Sequence, residues 1–175
     1  LLKQMIKTVN NGTYEDIANV VNLNYFAKEE AVSYIIGNPD AMRYNYNNYM
    51  IYHSRKDGKA IIIPIDNDRC FGILKDWNVR NGLKEEEIFG NDSSNDKQRN
   101  NLLNKTILSK NDNECKTMYY DFIMSIAKSD WVKDETFNKY YEIAKKSYPN
   151  DYFSLTDKTH NLTFSEYMSA KLAVI

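Results

Sequence analysis

The sequence is poor in residues that cross-link a chain or interrupt its helices and strands, with 2 cysteines, 3 prolines and 6 glycines among 175 residues. Two thiols, Cys70 and Cys115, could pair with each other but are too few for a disulfide scaffold. The longest apolar runs are only as long as a strand, so no transmembrane span is predicted. Glycine-rich phosphate-binding motifs of the Gly-x-Gly-x-x-Gly and Walker A types are also missing.

An excess of charge of one sign is missing as well, because 23 Lys and Arg stand against 24 Asp and Glu, for a net charge of −1. The mixed signs exclude a basic surface for nucleic acid and a polybasic membrane anchor. What the chain does have is a hydrophobic fraction of 42%, enough for a sizeable core. We expect one domain over residues 1–175, and the oligomeric state stays open. Since the chain begins Leu1-Leu2-Lys3, we also expect it to be a fragment of a longer protein.

Helical periodicity dominates both ends of the chain. Apolar residues from Leu2 to Val9 predict a first helix, and Thr13 with Asp16 predicts a capping box for a second. Asn24 is the expected cap of a third helix that ends at Gly37. Further helices are predicted at about 101–109, 112–128, 134–147 and 164–175, and residues 76–100 are expected to form a polar surface loop.

The centre of the chain has a different pattern. Asn48–His53 and Lys59–Ile65 have the composition of strands, and Asp57-Gly58 between them is typical of a hairpin turn. The second strand is apolar throughout, so we expect both of its faces to be covered. The fold class is therefore α+β, mainly helical with one antiparallel β-hairpin.

Polar clusters lie on both sides of this hairpin: Asn38 and Asp40 before it, Asn45, Asn47 and Asn48 where it starts, and Asp66 and Asp68 where it ends. A hairpin returns its end to its beginning, so we expect the clusters to lie close together. If residues 66–68 are extended, the two carboxylates share one side, about 6–7 Å apart, and repel by roughly 2–3 kcal/mol. A divalent cation would reverse that penalty, and oxygen ligands suit Mg²⁺ or Mn²⁺. The simpler alternative is that these carboxylates only cap turns.

Phosphoryl transfer uses such a set: a carboxylate at the acceptor hydroxyl, with an amide and a second carboxylate on the metal. Asp40 and Asn45 have the Asp-x-x-x-x-Asn spacing of protein kinases, and Phe71-Gly72 follows the acidic cluster. The ordered segments Gly37-Asn38-Pro39-Asp40, Asn47–His53 and Ile63–Gly72 closely resemble the CotH family of spore coat kinases.

The resemblance implies the C-terminal lobe of an atypical protein kinase that transfers the γ-phosphoryl group of ATP to Ser or Thr of a protein substrate. Asp40 matches the catalytic residue and Asp66 the metal ligand, with Asp68 as a further ligand. Asn48 matches the family position of the amide ligand, whereas Asn45 keeps the kinase spacing, and Asn48 is preferred. The implied cofactors are ATP with Mg²⁺ or Mn²⁺, and the implied location is the spore coat or cell surface of a bacterium.

One departure from the kinase pattern matters. No glycine-rich strand pair precedes residue 36, and Glu29 and Glu30 lie on a predicted helix, where we expect solvated faces. The fragment by itself is therefore expected to be inactive, and a kinase-derived coat or surface module that only binds partners is the alternative. A glycosyltransferase with an Asp-x-Asp motif is a weaker third candidate, since such motifs end strands of parallel sheets.

Overall fold

The computed structural model describes residues 1–38, 40–68, 70–71, 101–149 and 162–175. In chain order the elements are α1 (Leu2–Asn11), α2 (Tyr14–Val20), α3 (Leu23–Ile36), α4 (Met42–Asn45), β1 (Tyr49–His53), β2 (Ala60–Pro64), α5 (Asn101–Lys105), α6 (Glu114–Ala127), a 3₁₀ turn (Asp130–Val132), α7 (Asp134–Ser147) and α8 (Phe164–Leu172). Helices thus dominate these ranges, and their sheet is a single antiparallel pair. The α+β class predicted from the sequence is confirmed.

Local capping explains where the early helices begin. The capping box is present, because the Thr13 side chain accepts from the Asp16 amide and the Asp16 carboxylate accepts from the Thr13 amide. The expected cap of α3 was wrong: Asn22, not Asn24, caps it by accepting from the Tyr25 amide at 3.0 Å. A tertiary contact fixes this earlier start, since the Asn22 amide donates to the carbonyl of Ala60 on β2 at 2.8 Å.

The core is built around α3, which packs against both α6 and β2. Phe26, Ala31 and Tyr34 of α3 are fully buried, as are Tyr119 and Ile123 of α6. The rings of Tyr34 and Tyr119 meet edge to face, with centroids 6.5 Å apart. Because α3 is enclosed on two sides, its C-terminal end has a fixed position from which the following loop departs.

The hairpin pairs Tyr49 with Pro64 and His53 with Ala60, as the sequence predicts to within one residue at each end. The expectation that both faces of its second strand are covered holds for one face, whereas the other face is half-buried. Within the described ranges α3 covers one face, where Ile62 is 1% exposed. On the other face Ile61 and Ile63 of β2 are half-buried, and their partners on β1, Tyr52 and Met50, are 49% and 54% exposed.

Two further expectations concern the polar segment and membrane-spanning helices. The polar segment at residues 76–100 lies outside the described ranges. Among the helices inside them, none combines the length and apolar character that crossing a bilayer requires.

Candidate catalytic and metal-binding loops

The loop after α3 is organised by Asn38, whose side chain is fully buried. Gly37 ends α3 with a φ of 61°, the left-handed conformation that glycine adopts most readily. The Asn38 carboxamide oxygen then accepts from the Asp40 amide at 2.9 Å, which closes a side-chain turn. Asp40 is therefore held in a fixed orientation immediately beyond a core helix.

Asp40 is bonded to the residue at the entrance of the hairpin. The side-chain nitrogen Nδ2 of Asn48 donates to Oδ2 of Asp40 at 2.9 Å, across the short helix α4. Asn48 has a φ of 56°, which directs its side chain out of line with β1. Asn45, the alternative amide ligand, is the last residue of α4, and its side chain lies outside the described part of the chain.

The end of the hairpin comes back to the same two loops. The Ile65 amide donates to the Asn48 carbonyl at 2.8 Å, which extends the pairing beyond β2. The side-chain nitrogen Nδ2 of Asn38 donates to Oδ1 of Asn67 at 2.8 Å and lies 3.5 Å from the backbone carbonyl oxygen of Asp66. Asn38 thus links the segment that carries Asp40 to the segment that carries Asp66.

The segment after β2 is not extended, so the alternation argument that placed Asp66 and Asp68 on one side was wrong. Asp66 has a φ of 56°, and the strand ends at Pro64. Both carboxylates belong to exposed residues. Burial first, and the nearby Asp68 charge second, raise the pKa of the Cys70 thiol to about 12. Cys70 and Cys115 are both free and buried, so the two thiols do not pair with each other.

Backbone conformations that are uncommon for side-chain-bearing residues gather in these loops. Within the described ranges, the non-glycine residues with positive φ are Tyr46, Asn48, Asp66 and Phe71. Each costs about 1–2 kcal/mol in principle, less for Asn and Asp, whose side chains bond locally. Residues in such conformations persist where the surroundings hold them and often mark functional sites.

Phe71 anchors the end of this segment. Its amide donates to the Ile36 carbonyl at 2.8 Å, which satisfies a carbonyl in the last turn of α3. Its ring meets those of Phe164 and Tyr167 of α8 edge to face, at 5.3 and 5.9 Å between centroids. The position of Phe71 is therefore fixed by both α3 and α8. Gly72, its partner in the sequence motif, lies outside the described residues.

A comparison with models of protein families gives a match. The model described as CotH kinase protein matches residues 1–166 of the 175-residue chain. The chain belongs to this family. The resemblance predicted from the sequence motifs is confirmed, and the chain is a kinase-like domain. No curated protein and no solved structure gives a significant match.

A buried polar network in this CotH domain was missed by the sequence analysis. Glu29 and Glu30, expected on solvated faces, are 7% and 0% exposed. Burial and the neighbouring charge of Glu30 raise the pKa of Glu29 to about 9. For Glu30 burial also raises the pKa, although the Arg43 guanidinium opposes the shift. Arg43 contacts the Glu30 carboxylate directly, so its charge favours the ionised form of that carboxyl.

The sequence did carry a signal for this burial. Glu30 follows Phe26 by four residues and precedes Tyr34 by four, so it lies on the apolar face of α3 between two core aromatics. A carboxylate at such a position requires a buried cation as a partner. Arg43 is that partner, at 3.2 Å, and it comes from α4 between Asp40 and Asn48.

The donor chemistry of the CotH loops fits a magnesium-type ion, with an Asn amide oxygen and the carboxylates of Asp66 and Asp68 as hard oxygen ligands. Among the described residues no three His, Cys, Asp or Glu side chains form a cluster able to hold a metal by themselves. A cation at this site would therefore take amide, water or phosphate oxygens in addition, as Mg²⁺ does when it binds a nucleotide.

Proposed function

We propose that this chain is the catalytic lobe of an atypical protein kinase that transfers the γ-phosphoryl group of ATP to Ser or Thr of a coat or cell-surface protein. The carrying observation is the bond between Asn48 and Asp40, at 2.9 Å. This bond holds a side-chain amide and a carboxylate where the hairpin begins, beside the segment that carries Asp66. Membership of the CotH kinase family supports the use of ATP and a divalent metal.

Asp40 is proposed as the catalytic residue. Its Oδ2 accepts from Asn48 and its backbone amide donates to Asn38, so the carboxylate cannot swing freely. A carboxylate fixed in this way can orient the acceptor hydroxyl and take its proton as the oxygen–phosphorus bond forms. The terminal bond of ATP to its leaving ADP breaks in the same exchange.

Asn48, Asp66 and Asp68 are the proposed metal ligands. Since the Asn48 side-chain nitrogen faces Asp40, a metal held by this side chain would use the amide oxygen, and Asn48 is kept as the preferred ligand. When bound, Mg²⁺ or Mn²⁺ neutralises the phosphate charges. The exposed outer face of the hairpin begins directly after Asn48, and Met50 there offers an apolar surface for a nucleotide base.

A second candidate function uses the same exposed surface. Met50 and Tyr52, with Ile61 and Ile63 opposite them on β2, form an apolar face suited to binding another protein. A CotH domain that binds a coat or surface partner without phosphoryl transfer would use this face and leave Asp40 idle. The glycosyltransferase candidate has no support, because the Asp-x-Asp segment follows an antiparallel hairpin.

Calorimetric titration of Mn²⁺ and Mg-ATP into the full-length gene product, with an autophosphorylation assay, tests the proposal. Asp66→Asn should lower metal and nucleotide affinity by roughly tenfold or more, as for loss of a charged ligand. Asp40→Asn should leave metal binding intact and lower the transfer rate roughly 10²–10⁴-fold, as expected for a general base.

Asp112→Asn is the matched control, because the Asp112 side chain is 98% exposed and lies far along the chain from the loops. It should bind metal and transfer phosphate like the wild type. Equal metal binding by wild type and Asp66→Asn would reject the metal assignment. Nucleotide binding without transfer, unchanged by Asp40→Asn, would instead favour the partner-binding module.

A further inference from the structure

Arg43 lies between the two residues proposed to act at the phosphoryl group, three positions after Asp40 and five before Asn48. Its side chain nevertheless points into the core and is 4% exposed, while that of Glu30 is fully buried. Nε of Arg43 donates to Oε2 of Glu30 at 3.2 Å, and Nη2 donates to the Tyr119 hydroxyl at 2.8 Å. The helix α4 is thereby tied to α3 and to α6 at the same time.

The aromatic surroundings of Arg43 add a third restraint. The guanidinium carbon lies 5.2 Å from the ring centroid of Tyr119 and 5.9 Å from that of Tyr34. A planar guanidinium between rings and a carboxylate has one orientation that satisfies all of its contacts. The ammonium group of a lysine at the same place could contact Glu30. It would not reproduce the fork of guanidinium nitrogens, of which Nε bonds to Glu30 and Nη2 to Tyr119.

Stability alone does not account for a charged pair at this position. Taking two ions out of water costs several kcal/mol per ion, and apolar residues of the same volume are often as stable or more so. Such pairs are better explained where they specify one geometry. Here α4 has four residues, too few to hold a helical turn in place without tertiary contacts.

We propose that Arg43 is a positioning residue, which sets the loop from Asp40 to Asn48 in its reactive geometry by anchoring α4 to Glu30 and Tyr119. The inference rests on the proposed phosphoryl transfer for its catalytic consequence, but the geometric part stands on the buried contacts. An error of about 1 Å in the placement of a catalytic group can cost roughly a hundredfold in rate. The anchor connects the core directly to that placement.

Tyr119→Phe is the central test, because it removes one hydroxyl from the network and keeps both charges paired. Arg43→Lys is the second variant, which keeps the charge and loses the fork. Ile17→Val is the matched control: Ile17 is fully buried on α2, and its truncation costs about 0.5–1.5 kcal/mol, close to the loss of a hydrogen bond.

The first measurement needs no metal and no activity. The ¹H–¹⁵N resonances of the Asn48 side-chain amide report the bond to Asp40, and the two anchor variants should shift or broaden them while Ile17→Val does not. The second measurement is kinetic: kcat should fall roughly tenfold to a hundredfold with little change in KM for ATP.

Unchanged Asn48 resonances and kcat in Tyr119→Phe, at a melting temperature lowered as in Ile17→Val, would overturn the proposal and leave Arg43 a purely structural residue. If Arg43→Lys fails to fold, Tyr119→Phe still decides the question. If the full-length wild-type gene product transfers no phosphate, the proposed function fails, but the Asn48 resonances still test whether Arg43 positions the loop.

Discussion

The Asn48 amide nitrogen donates to the Asp40 carboxylate at 2.9 Å, and Asn48 does so from a left-handed backbone conformation with a φ of 56°. The hydrogen bond and the conformation are coupled, because a residue in ordinary strand geometry would direct its side chain differently. The two residues are eight positions apart in sequence, so this contact is a product of the loop that contains α4. Predictions for Asn48, for Gly37 and for Glu29 follow from this contact and from the packing around it.

Replacement of Asn48 should separate the side-chain bond from the backbone strain. Asn48→Ala and Asn48→Gly both remove the bond to Asp40, but only Ala keeps a Cβ in the left-handed region. We expect the Ala variant to be less stable than the Gly variant by about 1 kcal/mol in urea unfolding. Both should lose metal affinity to the same extent. Equal stability of the two would show that the backbone conformation carries no cost here.

Gly37 and Gly58 form a matched pair for the connection that precedes Asp40. Both have positive φ, 61° and 72°, but a Cβ at Gly37 would overlap the Tyr167 hydroxyl, whereas one at Gly58 meets nothing within 4 Å. Gly58→Ala should cost about 1–2 kcal/mol, from backbone strain alone. Gly37→Ala should cost about 1–3 kcal/mol more, from overpacking against a buried ring.

Combining Gly37→Ala with Tyr167→Phe provides the check, measured by thermal unfolding. The Tyr167 hydroxyl donates to the Ile35 carbonyl at 3.0 Å, so Tyr167→Phe alone should also destabilise. Because Phe lacks the overlapping oxygen, the double variant should be more stable than the sum of the two single losses. Simple additivity would contradict the steric explanation.

Glu29 should give the protein a distinctive pH dependence. Its pKa is raised to about 9 in the folded state, against an ordinary value of 4.5. The folded state therefore keeps a proton that the unfolded state releases. Its contribution to the free energy of unfolding is greatest below pH 4.5 and is lost as pH rises toward 9. One proton limits the slope to about 1.4 kcal/mol per pH unit.

Glu29→Gln should reduce that slope, as measured by chemical unfolding between pH 5 and pH 9, and the slope that remains reports Glu30, whose pKa burial also raises. Glu166→Gln is the control with opposite sign: the hydrogen bonds from Thr163 hold the pKa of the exposed Glu166 below its ordinary value. Its contribution is present above that ordinary value and is lost as pH falls. A neutral-to-alkaline slope as steep in Glu29→Gln as in the wild type would contradict a protonated Glu29.

Much of the candidate site was accessible from local sequence. Asp57-Gly58 predicted the hairpin, Thr13 and Asp16 their capping box, and Gly37 the end of α3, because each depends on contacts within a few residues. The order of Asp40, Asn48 and Asp66 around the hairpin identified the family that the chain belongs to. Their roles as catalytic and metal-binding residues stay predictions.

What the sequence by itself determined was therefore the set of elements and the order of the polar segments along them. Only the tertiary structure decided that Asn22 caps α3, that Asp66 is turned rather than extended, and that Glu30 is buried against Arg43. The reason is physical: a positive φ at Asp66 and a buried charge at Glu30 oppose local preferences, and a bond to β2 decides which of two Asn residues caps α3. Each is stable only because residues distant in sequence supply the compensating bonds.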